Sequence, residues 1–187
     1  MGLDSVELVM EFEDYFLIEI PDHEAAKMGT IKSVVDYIST HLAFADRGAD
    51  IKNDVLKRLS AAFASLNETL PELQEKVFQV VPLENRETWK AISIQTGYDI
   101  SKISPADGFD KFLNRIFKQE VAEKDATVGR LIDLLCATNY EQLIIKGQVQ
   151  NRYEIMIAVM GITIDKMGNS PFEVFEDSSF TNDLGVD

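Results

Sequence analysis

Apolar residues recur at three- and four-residue spacing along most of this chain, and nowhere do apolar and polar residues alternate cleanly over the length of a strand. The pattern predicts an all-α protein. In the opening stretch, MGLDSVELVMEFEDYF, Val6, Val9, Met10, Phe12, Phe16 and Leu17 supply an apolar stripe. Glu7, Glu11 and Asp14 stand at four- and three-residue spacing, which lines their carboxylates up on the opposite, wet face. Asp4 or Ser5 can cap this helix, because a short side-chain oxygen accepts from an otherwise unpaired N–H of the first turn. Residues 18–22 read as an extended exit, since Pro21 keeps its predecessor out of the helical region. A brief turn over 23–28 leads to Thr30, a capping residue for a helix carrying Ile31, Val34, Val35, Ile38 and Leu42.

Further on, residues 43–53 form a polar connection, and helical periodicity returns over 55–66. The spacing predicts more helices over 70–81, with Pro71 in the first turn, and over 88–96, stopped by Gly97. Another is expected over 109–121, apolar at Phe109, Phe112, Leu113, Ile116 and Phe117, and another from Ala126 through Leu135. Residues 139–148 read as a connector. A last helix is expected over 151–164, with Ile155, Val159 and Ile162 on one face.

Charge adds the next constraint. The 187 residues carry a formal net charge of −14, unevenly distributed. Residues 1–47 hold ten acids against three bases, and residues 167–187 hold five acids and no base. The middle is close to neutral. Nucleic acid is therefore not an expected partner, because a phosphate backbone is held by clustered Lys and Arg. Two acidic ends instead suggest one acidic unit that docks on basic partners. No apolar run approaches the length of a membrane span, and no basic region followed by a hydrophobic segment opens the chain. A cytoplasmic protein without a membrane span is the expectation.

Catalytic chemistry finds little to work with. There is no glycine-rich phosphate loop, no paired metal-ligand histidines and no Gly-x-Ser-x-Gly elbow. His23 and His41 are read as surface side chains, Trp89 as core, and the lone Cys136, inside an apolar helical run, as a buried thiol. Phe109, Phe112 and Phe117 could line an acyl pocket or simply pack. An enzyme is not expected.

Two pieces of the sequence resemble the acyl carrier protein family. GLDSVELVMEFEDYF is similar to helix II of a carrier and the turn on which carriers hold phosphopantetheine. EIPDHEAAKMGTIKSVVDYI continues the likeness through the short helix III and helix IV. At the other end, residues 151–164 and the run DSSFTNDLGVD look like helix I and the approach to the prosthetic serine. The order is that of a circularly permuted carrier bundle built from residues 1–47 and 149–187. Residues 48–148 then form a mostly helical connecting region, within which 87–135 faintly resembles a degenerate second carrier-like unit. The same pattern would arise if residues 151–187 of one molecule completed residues 1–42 of another, a domain-swapped homo-oligomer.

The resemblance implies 4′-phosphopantetheine as cofactor, a phosphopantetheinyl transferase as one partner, and acyl-processing enzymes of fatty acid or polyketide biosynthesis as others. Their basic docking patches would meet Glu7, Glu11 and Asp14. The attachment residue depends on register. Aligned on the Gly-x-Asp-Ser turn it is Ser5; aligned on Leu3-Asp4-Ser5-Val6-Glu7-Leu8 it falls on Gly2, which has no hydroxyl. The alternative is an adaptor that kept the carrier fold without the prosthetic group.

Overall fold

The computed structural model describes residues 2–43, 50–103 and 126–186. Among them are eight α-helices and no strand: α1 (Leu3–Phe16), α2 (Asp22–Ala25), α3 (Ile31–His41), α4 (Asp50–Ser65), α5 (Arg86–Thr96), α6 (Val128–Thr138), α7 (Tyr140–Leu143) and α8 (Arg152–Met167). The protein is all-α. The chain divides into two compact units, one made of Met1–Ala49 with Asn139–Asp187 and the other of Asp50–Thr138. The helix expected over 109–121, with Phe109, Phe112 and Phe117, lies outside the described residues.

The first unit is organised around α8, which packs against α1, α3 and α7. Asn151 caps it, its side-chain oxygen accepting from the Glu154 N–H at 2.9 Å. From Ile155 to Ile164 the helix is buried on nearly every side rather than along the single expected face. A helix apolar all round is stable only when neighbours cover every face, and here α1, α3 and α7 supply that cover. Thr30 caps α3 as its sequence predicts, in a reciprocal capping box with Ser33. Ile31, Val34, Val35 and Ile38 are fully or almost fully buried, so the expected α3 stripe is the core face.

Residues 139–148 do more than connect. Tyr140 stacks edge-on against Tyr15 at 5.3 Å, and the Tyr15 hydroxyl donates to the Ile144 carbonyl. Burial, with Glu141 and Glu154 nearby, pushes the Tyr15 phenol up to about 12. Gly147 then donates its N–H to the Tyr15 carbonyl from a backbone at φ +72°. The Leu17 side chain lies where a Cβ at Gly147 would sit, so a larger residue would meet both strain and a clash.

In the second unit α4 packs against α5 and α6. Val55, Leu59 and Phe63 of α4 and Trp89 and Ile92 of α5 are buried in its core, with the Phe63 and Trp89 rings edge-on at 6.3 Å, and Trp89 Nε1–H donates to the Pro82 carbonyl at 3.0 Å. Gly97 ends α5 in the left-handed conformation, as expected. The helix expected over 70–81 does not form. Only one 3₁₀ turn, Val77–Gln79, appears, because the flanking backbone bonds elsewhere. Val77 N–H donates to Ala126, Val128 N–H to Glu75 and Gly129 N–H to Leu73, a short pairing with the start of α6. Cys136 is buried, as its setting in the sequence predicts.

Candidate functional site

The candidate site is α1 together with the segment that packs over its start. Gly2 is the N-cap residue, with φ −74° and ψ −179°, and no side chain caps the helix. The expectation that Asp4 or Ser5 caps is therefore corrected. Both lie inside the first turn, where their N–H groups are the ones needing caps. The Ser5 hydroxyl points backward instead and donates to the Gly2 carbonyl at 2.9 Å. At the far end Leu17 takes the left-handed conformation at φ 55°, and the Glu13 carboxylate accepts from the Ile20 N–H at 2.7 Å, which fixes the exit.

The buried face of α1 is Leu8, Phe12, Tyr15 and Phe16. Phe12 and Phe16 were expected there; Val6 and Met10 were too, but the helix is rotated so that they face outward, while Leu17, at the left-handed C-cap beyond the helix, is 69% exposed. Leu3 is 74% exposed, Val6 40% and Met10 60%. Positions 3, 6 and 10 follow a three-then-four spacing, so they form one exposed apolar line along the helix. The signal for this rotation was present as Leu8-Phe12-Phe16, an unbroken four-residue series. It competed with an equally apolar neighbouring stripe.

The acidic residues divide into two groups. Glu7 is exposed, as is Asp4 beside it. Glu11 is half-buried and hydrogen-bonded to Lys166 of α8, whose ammonium it holds above the usual lysine range. Asp14 pairs with Lys146 at 2.6 Å. Glu7, Glu11 and Asp14 all reach solvent, as expected, but Glu11 and Asp14 are also paired with lysines of their own chain. Two of these three carboxylates are engaged within the unit, because the connector and α8 bring lysines to them.

Over the start of α1 lies the segment preceding Asp187. It is held to the loop before α3 by an antiparallel bridge between Thr30 and Ser179, with Ile31 N–H donating to Ser178 and Phe180 N–H to Gly29. Arg152 of α8 clamps the same region, reaching Asp36 at 2.7 Å and Glu176 at 2.8 Å. Between these parts is a mainly apolar cavity of about 180 Å³, with Ser5, Leu8, Phe12, Val34, Phe180 and Val186 among its lining residues. The likeness to carriers joins these two ends of the chain, but no local pattern shows a cavity whose walls come from segments more than 150 positions apart. Ser5 and Val186 line the same space within one chain.

His23 pairs with Glu24 and His41 stacks on Tyr37, both at the surface, and no metal-binding cluster occurs among the described residues. Nor is any described helix long and apolar enough to cross a membrane.

The residues at the start of α1 do not fit phosphopantetheine on Ser5. Its hydroxyl is half-buried, already hydrogen-bonded to Gly2, and set in the wall of the cavity. Gly2, at the N-cap, has no oxygen to carry a phosphodiester.

No protein-family model matches this chain, and no solved structure matches it significantly.

Proposed function

We propose that this protein is a carrier-like docking module that offers α1 to acyl-processing enzymes. One observation carries the reading. An outer helix leaves Leu3, Val6 and Met10 exposed in a line, with the exposed carboxylates Asp4 and Glu7 beside it. A line of apolar side chains with charge at its edge fits a partner groove that is apolar in the middle and basic at the rim. The sequence likeness to carrier helices II to IV names acyl-processing enzymes as the class. The strongly acidic balance of residues 1–47 steers encounter with such surfaces and disfavours nucleic acid.

The apolar line supplies contact area, and the free carboxylates supply orientation and on-rate. Glu11 and Asp14 contribute less, since each already spends its charge on a lysine of its own chain. The test is surface binding of the purified chain to a panel of purified acyl-processing enzymes of fatty acid biosynthesis. The wild type should bind at least one member, weakening as salt is raised past the Debye regime. Met10→Glu should abolish binding and Glu7→Lys should weaken it more than Asp14→Lys does. Binding to no member of the panel, or binding indifferent to Met10→Glu, would sink the proposal.

A further inference from the structure

We infer that the attachment position of this carrier-like unit is Gly2 rather than Ser5, so that the chain as it stands takes no phosphopantetheine and a hydroxyl restored at Gly2 makes it a substrate. The inference rests on the carrier-like reading above but not on the docking of α1.

Two registers were open from the sequence, and the boundary of α1 separates them. A side chain that must present a bulky diester to a modifying enzyme belongs where the chain enters the helix, not within a packed turn. Gly2 occupies that entry. Its backbone, at φ −74° and ψ −179°, is an ordinary extended conformation open to serine. Serine is also a preferred N-cap residue, so the substitution suits the helix. A phosphate there would sit at the positive end of the α1 dipole.

Ser5 lies three residues further on, about 4.5 Å along the axis at 1.5 Å per residue. Its hydroxyl is turned back to the Gly2 carbonyl, which also accepts the Val6 N–H at 3.4 Å. The side chain shares the cavity wall with Leu8 and Val186. Loading Ser5 would require breaking its hydrogen bond and taking its side chain out of the cavity lining. Gly2 carries neither obstacle, and lacks only the nucleophile.

The experiment incubates the whole chain with coenzyme A and a broad-specificity phosphopantetheinyl transferase. In that reaction a serine hydroxyl oxygen attacks the pyrophosphate phosphorus bearing the pantetheine arm. A phosphodiester forms, 3′,5′-adenosine bisphosphate leaves, and the hydroxyl proton is released. Intact mass is measured for wild type, Ser5→Ala, Gly2→Ser and the Gly2→Ser/Ser5→Ala double variant, each checked for native helicity by circular dichroism. Wild type and Ser5→Ala should stay unmodified, while both proteins carrying Gly2→Ser gain one phosphopantetheine, mapped to the first peptide. Loading of wild type that disappears in Ser5→Ala would overturn the inference. So would folded Gly2→Ser protein that stays unmodified. The docking assay above uses unmodified protein, so a failure of either experiment leaves the other interpretable.

Discussion

The rotation of α1 has a consequence that stability measurements can read. Phe12 and Met10 are two residues apart, similar in bulk, and both belonged to the apolar stripe expected from the sequence. In the fold they differ sharply: Phe12 is 1% exposed and Met10 60%. Truncating Phe12 to alanine removes a ring from the packed face against α8, a change that costs about 3–5 kcal/mol when the site relaxes only in part. Full burial of a methionine is worth about 1.5–3 kcal/mol, and Met10 has given up only part of its surface, so Met10→Ala should cost about 1 kcal/mol at most. Set against a total of about 5–15 kcal/mol, the first is a large fraction of the stability and the second a small one. Trp89, the sole tryptophan, lies in the other unit, so its fluorescence does not report on α1. The assay is therefore hydrogen exchange of peptides from α1 and α8 across a urea series. Phe12→Ala should move protection loss to markedly lower urea, and Met10→Ala should barely shift it. Equal destabilisation by the two variants would mean that α1 presents a different face to the core, and the exposed apolar line would no longer exist.

Two other outcomes follow from named contacts. Asn151→Ala removes the cap of the central helix, leaving the Glu154 N–H without its acceptor, and should cost about 1–2 kcal/mol; urea midpoints followed by hydrogen exchange of α8 check it. Hydrogen bonds from Arg152 and then Lys32 hold the Asp36 carboxyl below the usual aspartate range. A depressed folded value adds stability that is complete above the unfolded value, about 3.9, and is lost as pH falls through the lower folded one. Thermal melts from about pH 5 downward should thus show an acid-side loss that Asp36→Asn reduces. The effect should be small because the partners are partly exposed. A steeper acid loss in the variant would contradict the assignment.

What the sequence determined by itself was local. Helical periodicity, the absence of alternating runs, the Thr30 cap, the Gly97 stop and the burial of Trp89 and Cys136 all follow from residues within a turn or two of one another. Such features are legible because a helix satisfies its own backbone and needs only one apolar stripe and two ends. Tertiary structure decided which of two adjacent apolar stripes on α1 goes inside, since Leu8 and Val6 are equally apolar and only the neighbouring α8 selects between them. It decided that residues 70–81 pair with the start of α6 instead of coiling, because those backbone partners lie some fifty positions away. It decided which carboxylates stay free, by bringing Lys166 and Lys146 to Glu11 and Asp14. The cavity beside Ser5 belongs wholly to that level. Its walls come from both ends of the chain, and no window along the sequence contains them together.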